Sequence, residues 1–224
     1  MNENFAREEI CRVGKSLFDR GYVHSSAGNI SIKLDDGFLI TPTDAVLGFL
    51  EPESISKVDM SGAHISGEKP SKTLALHRSI YSTAAKQFPK TSCIIHTHST
   101  YCVALTLKND FDTADAELLK PITPYQVMKV GRVPVIPYKR PGDSQVLDLV
   151  GERIDRYLSK GIHIRSVMLS SLGPLVWHDT AAKTMATLEE LEESAKLSFL
   201  LERGGKTMLP TQIHELKDVF NSSW

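Results

Sequence analysis

The stretch IIHTHS, residues 94–99, sets His96 and His98 two positions apart at the end of an apolar run. In an extended strand, residues i and i+2 share a face, so this spacing predicts two imidazoles projecting together beside Ile94. Two neutral imidazoles so placed begin a zinc site, with Zn–N bonds of about 2.0–2.1 Å; the bland alternative is a pair of polar residues where a strand meets a loop. A catalytic zinc normally takes three protein ligands and leaves one position open, so the metal idea demands another donor. Other polar residues suit an anion. In GNIS (28–31), a glycine followed by Asn29 can offer backbone N–H groups and a side-chain amide, or simply form a tight turn. TPTD (41–44) carries the Thr43 hydroxyl in a turn. KPSKT (69–73) places Ser71 and Lys72 just before a helix, where a hydroxyl, an ammonium and a helix N-terminus together suit a phosphate. The same two residues also read as an N-cap serine and a solvated lysine. Tyr125 lies in the proline-flanked PITPYQVMKVG, where a tyrosine equally serves packing or surface.

These residues need a frame. Residues 5–21 carry Ile10, Val13, Gly14, Leu17 and Phe18 at helical spacing, with Gly21 as a stop. NISIKL (29–34), DDG and FLIT (38–41) read as a hairpin. HIS (64–66) reads as a short strand, 72–88 as a helix, 91–98 as a strand, and 100–108 as the start of a further helix. VPVIPY (133–138) is a strand whose flanking prolines suggest an edge. Residues 145–161 form a helix ended by glycine. SVMLSS and PLVW (166–177) are strands around Gly173-Pro174. Residues 180–205 form a long helix with its charges on one face, and LPTQIHELKDVF a short last one. Hairpins mixed with helices predict an α/β protein: a single domain with a mostly antiparallel central sheet flanked by helices.

Composition excludes several classes. The chain has 224 residues, 41 % hydrophobic, with a net charge of −1 and both signs mixed along it. That balance gives no footprint for nucleic acid or a membrane surface. No apolar run approaches the roughly 18 residues of a membrane span, and the polar, acidic N-terminus is no signal peptide. Three cysteines without a CxxC pattern predict a reduced, cytoplasmic setting.

Taken in order, GNIS, TPT, PSK before the helix with His77, HTHS, PY-x5-G, GPLVW and the long ELEE helix resemble the class II aldolase/adducin-head family, over about residues 5–205. Within it, PSK, TPYQVMKVG-x-VP and RPGD (140–143) are similar to the branch of 3-oxo-tetronate 4-phosphate decarboxylases. The resemblance implies a metal enzyme, using zinc or another divalent ion such as manganese, that acts on a small phosphorylated sugar acid. His96 and His98 match metal ligands. Asn29, Thr43, Ser71 and Lys72 match positions that bind the substrate phosphate. Tyr125 matches a proton donor supplied by a neighbouring subunit, in a homotetramer with active sites at subunit interfaces. Residues 206–224 would be a C-terminal extension ending in an exposed Trp224.

Three positions depart from the family. Thr73 stands where many members carry the acid/base glutamate, Leu172 where they carry the third metal-binding histidine, and Asp44 where a glycine approaches the phosphate. His178 lies six residues past Leu172, roughly 20 Å along an extended strand; His77 and His24 are better placed, with neither preferred. Loss of CO2 from a 3-oxo acid needs no base to deprotonate a hydroxyl, whereas aldol cleavage does. Thr73 therefore favours a lyase forming dihydroxyacetone phosphate and CO2 over an aldolase or 4-epimerase. A non-catalytic scaffold like the adducin head is the alternative that Thr73 and Leu172 together would suit.

Overall fold

The computed structural model describes residues 2–111, 113–201 and 205–224. Its centre is an eight-stranded sheet in the order β4-β3-β2-β1-β5-β8-β7-β6. The strands are β1 (Asn29–Lys33), β2 (Gly37–Ile40), β3 (Ser56–Asp59), β4 (His64–Ser66), β5 (Cys93–His96), β6 (Val135–Ile136), β7 (Ser166–Leu169) and β8 (Gly173–His178). Every pairing is antiparallel except β6 with β7, as the mixture of hairpins and helices predicted. Strand β6, at the sheet edge, carries the two flanking prolines, which cannot donate to a ladder.

Alternation along the strands divides the core between two faces. Ile30, Ile32, Leu39, Cys93, Ile95 and Val176 meet α1 (Glu3–Asp19), α3 (Thr100–Lys108) and α5 (Ala181–Leu200). Phe38, Val58, Ile94, Val167, Leu175 and Trp177 meet α2 (Leu74–Ala84) and α4 (Gln145–Ser159). Each fully buried aliphatic side chain contributes about 1.5–3 kcal/mol. Having both faces covered explains why β1, β2, β5 and β7 are buried at nearly every residue rather than at alternate ones.

Local signals set the boundaries. α1 starts on Asn2, whose side chain accepts from the Asn4 N–H, and Gly21 follows its end at φ 73°. α2 is shorter than expected, starting at Leu74 with Thr73 as its N-cap. The expected 180–205 helix runs from Ala181 to Leu200; its residues 202–204 lie outside the described residues. The last helix, α6 (Pro210–Phe220), packs by the π-helical turn Gln126–Val130. Trp224 corrects the expectation of an exposed tail. It is buried, with the Arg132 guanidinium 5.3 Å over its ring, and Ser223 Oγ accepts from the His163 N–H. All three cysteines are free. No helix among the described residues is long and apolar enough to cross a membrane.

Candidate active site

β5 carries His96 to the α2 side of the sheet, the face occupied by Ile94 two residues earlier. Directly across the β1–β5 ladder stands Asn29. His96 Nδ1 lies 2.9 Å from the Pro174 carbonyl. A carbonyl only accepts, so Nδ1 carries the proton and Nε2 keeps its lone pair, the arrangement that orients a metal-binding imidazole. His98 lies past the strand end, in the connection to α3, yet its ring centroid is 5.1 Å from that of His96. A cation about 2.1 Å from one nitrogen of each ring, with a tetrahedral angle between them, would hold the centroids about 5 Å apart. The pair therefore fits as two ligands of one divalent ion.

Burial keeps these rings neutral. It pushes His96 down to about 4, with His98 adding to the effect and the Pro174 bond opposing it. His98 is lowered as well, by burial and then by His24. His77, fully buried on α2, is driven to about 3 by burial and then by His96. Its Nδ1 is 2.7 Å from Ser31 Oγ, which in turn lies 2.9 Å from the Tyr81 hydroxyl. His77 Nε2 and Asn29 Oδ1 are buried without a hydrogen-bond partner among the described residues.

As Leu172 in the sequence implies, the β7–β8 turn supplies no third donor. Gly173, at φ 144°, packs so tightly that an added Cβ would lie 1.9 Å from the Thr97 carbonyl oxygen and 3.1 Å from His98 Cα. The β7–β8 turn thus reaches the histidine segment, but it brings Leu172, a partly buried side chain packed against the apolar cluster on the α2 side. Among the described residues, no three His, Cys, Asp or Glu side chains stand close enough to hold one ion. His178, at the far end of β8, pairs with Cys93 instead.

The residues expected to bind the phosphate lie on two loops zipped together. Pro42 bridges Pro70, the Thr43 N–H donates to the Lys69 carbonyl, and the Ser71 N–H donates to the Thr41 carbonyl. The Thr43 hydroxyl donates to the Pro70 carbonyl at 2.9 Å, so its proton clips the two loops together. Ser71 Oγ accepts from the Thr73 N–H and lies 2.9 Å from Thr73 Oγ1, at the mouth of α2. Lys72 is exposed there. Asp44 adopts φ 58°, a left-handed conformation that aspartate tolerates better than most side chains. The backbone shape is thus kept without a glycine. Tyr125 is 62 % exposed at the start of the π-helical turn. Its loop is tied beneath it by Gln126, which accepts from the Ile122 N–H and donates to the Lys120 carbonyl.

The chain matches the family described as class II aldolase and adducin N-terminal domain over residues 8–199. It belongs to the class II aldolase/adducin family. A 3-oxo-tetronate 4-phosphate decarboxylase of Cupriavidus necator is 46 % identical over 99 % of both chains. One from Pectobacterium atrosepticum is 45 % identical, covering 89 % of this chain and 86 % of that one. The crystal structure of YgbL from Klebsiella pneumoniae superposes with a TM-score of 0.83 at 38 % identity, covering 96 % of this chain and 99 % of that one. Enzymes of this family generally depend on a divalent metal.

One contributor escaped the sequence. Glu192 of α5 is buried, and its two carboxylate oxygens accept the Tyr101 and Cys102 N–H groups at 2.8 and 3.0 Å. It thereby caps the first turn of α3, immediately after His98, while burial raises its pKa. Its signal is faint: a carboxylate four residues after Leu188, on the same buried stripe of α5.

Proposed function

We propose that this chain is a 3-oxo-tetronate 4-phosphate decarboxylase, forming dihydroxyacetone phosphate and CO2. The observation that carries this reading is the placement of His96 across one strand ladder from Asn29, with the His98 ring beside it. Relatives of that activity, aligned over nearly the whole length, support it.

In this reading, Ser71, Lys72 and the N-terminus of α2 hold the phosphate, with Asn29 and the loop clipped by Thr43 beside them. His96 and His98 would hold a divalent ion, zinc or manganese. Such an ion, when bound, polarises substrate oxygens as a Lewis acid. In the reaction the C1–C2 bond breaks, C1 leaves as CO2, and the electron pair moves onto the former keto oxygen. C2 then takes a proton, which regenerates the ketone as the C2 carbonyl of dihydroxyacetone phosphate. Tyr125 donates that proton from a neighbouring copy in a homotetramer, which suits a side chain held out into solvent on a firmly tied loop. Thr73 cannot serve as a base near neutral pH, and decarboxylation does not ask it to. Residues 1–224 would act as one domain in the cytoplasm, with 206–224 as an extension folded back on it.

The test is CO2 release from 3-oxo-tetronate 4-phosphate by metal-supplemented protein, set against triose release from fuculose 1-phosphate. Triose without CO2 would refute the proposal, and so would inertness toward both. Tyr125→Phe is expected to lower kcat while leaving KM within about twofold; unchanged kcat would remove the residue from the mechanism.

A further inference from the structure

On the reading that Tyr125 donates the proton, we infer that residues 205–224 brace the loop that bears it. Trp224 is the positioning residue that fastens this brace.

Tyr125 rides on a loop closed at its base. The Leu118 N–H donates to the Val133 carbonyl and the Val135 N–H to the Ala116 carbonyl, both at 2.9 Å. Arg132 pairs with Glu117 across the same base. The Tyr157 hydroxyl of α4 donates to that carboxylate at 2.6 Å, so the base is bolted to the body of the protein. Beyond the base, Gln126 gathers the loop. Its side chain bonds Ile122 and Lys120, and its carbonyl accepts from the Gly131 N–H at 2.9 Å. Buried Val130 joins the apolar cluster that Leu188 of α5 also enters, which holds one side of the loop.

The tail spans the other side, from limb to limb. At its start the Met208 N–H donates to the Pro121 carbonyl at 2.8 Å, on the limb that leads to Tyr125. At its end Ser223 lies against Gly131, on the limb that leads away: a Cβ added to that glycine would stand 3.1 Å from the Ser223 carbonyl oxygen. The next residues of each limb and tail meet too, with the Arg132 guanidinium over the Trp224 ring. Between these two fastenings runs α6, 11 residues and about 16 Å long, packed against the π-helical turn. Asn221, at φ 52°, turns the chain back after it. The Lys217 ammonium then donates to the Trp224 main-chain oxygen at 3.1 Å.

No residue of α6 is buried, so the helix has no core of its own to hold it in place. The segment is fastened at its ends, and Trp224, only 8 % exposed, buries the large apolar surface there. A loop closed only at its base can still swing at its tip. A bar fixed to both limbs removes that freedom while leaving the Tyr125 side chain exposed. Proton transfer needs the donor within hydrogen-bond reach, and a misplacement of about 1 Å can cost about 100-fold.

The experiment uses the full chain, supplemented with metal, and steady-state CO2 release from 3-oxo-tetronate 4-phosphate. Wild type, Trp224→Ala, Trp224→Phe, Met208→Pro, Tyr125→Phe and the double variant Trp224→Ala/Tyr125→Phe are compared, with circular dichroism confirming folding. Trp224→Ala is expected to lower kcat by about 10–100-fold and leave KM within about twofold. Met208→Pro, which removes the N–H at the opposite end of the bar, should act in the same direction. Trp224→Phe keeps a ring for Arg132 and should recover most of the loss. In the Tyr125→Phe background, Trp224→Ala should lower kcat no further, because the brace acts through that hydroxyl. Amide hydrogen exchange at Ile122 and Gly131 should rise about 5–30-fold in Trp224→Ala.

Unchanged kcat in Trp224→Ala overturns the inference, and so do losses that multiply in the double variant, which a merely structural role would give. Unchanged exchange at Ile122 and Gly131 overturns it as well, without reference to activity. The two readings fail separately. Full kcat in Tyr125→Phe removes the proton donor, whereas a slow Tyr125→Phe beside a fully active Trp224→Ala keeps the donor and removes the brace.

Discussion

Lowering the pH should destabilise the metal-free protein through His77, and the size follows from its burial. The ring is fully buried and held near a pKa of about 3, while in the unfolded chain it titrates at about 6.5. Between those values the unfolded state binds a proton that the folded state refuses. Stability therefore rises with pH across this window and falls as pH drops through it. At pH 5 the penalty is about 1.5 pK units, or about 2 kcal/mol at 1.36 kcal/mol per unit. It is the same for any folded pKa below about 4, because the folded ring is then still neutral. His96, held near about 4, adds a similar amount, so the two together remove about 4 kcal/mol between neutral pH and pH 5. His77→Gln isolates the first share. The variant loses the contact with Ser31 Oγ at every pH, but it also loses the titration. Urea unfolding of both proteins in chelator, at pH 7 and pH 5, should show the variant's stability falling about 2 kcal/mol less than the wild type's. An identical fall in both would mean that His77 takes its proton inside the folded protein, and the account of a dry, neutral imidazole would be wrong.

Three further outcomes follow from the packing around the site. Gly173→Ala forces a Cβ to within 1.9 Å of the Thr97 carbonyl oxygen at a φ of 144°; thermal denaturation should show a loss of about 3 kcal/mol or more, and a change under 1 kcal/mol would contradict the tight approach. Glu192→Ala leaves two N–H groups at the start of α3 without an acceptor. At about 1–3 kcal/mol per unsatisfied group it should cost about 2–6 kcal/mol in denaturant melts, with Glu192→Gln intermediate because its amide has only one accepting oxygen. Trp224→Ala removes the ring beneath Arg132. A cost of about 1–2 kcal/mol and faster proteolysis within residues 205–224 are expected, and cleavage at the wild-type rate would show that the tail is not fastened.

Much of the frame was legible because its signals are local. Helical spacing in α1, Gly21 and Gly161 as stops, the β1–β2 hairpin and the proline-flanked edge strand β6 all stand where their residues place them. Each depends on backbone preferences within a few residues. The His96–His98 pair was legible for the same reason: a spacing of two keeps two side chains together even where the strand ends between them. The surprises came from contacts between distant segments. Nothing in a pattern of charges told that Glu192 turns inward to cap a helix some 90 residues earlier in the chain. Nor did the final residues show that Trp224 folds back onto Arg132.

The sequence by itself determined most of the strands and helices, β3 excepted, the two imidazoles and the two loops that carry Ser71 and Thr43, because these follow from spacing along one segment. What surrounds that pair was decided only by the tertiary structure. Gly28 packs the turn after α1 against the strand bearing His96, and Gly173 packs the β7–β8 turn against His98. One turn brings an imidazole to that meeting place and the other brings Leu172, and no pattern along the chain records which loops the sheet will fold together.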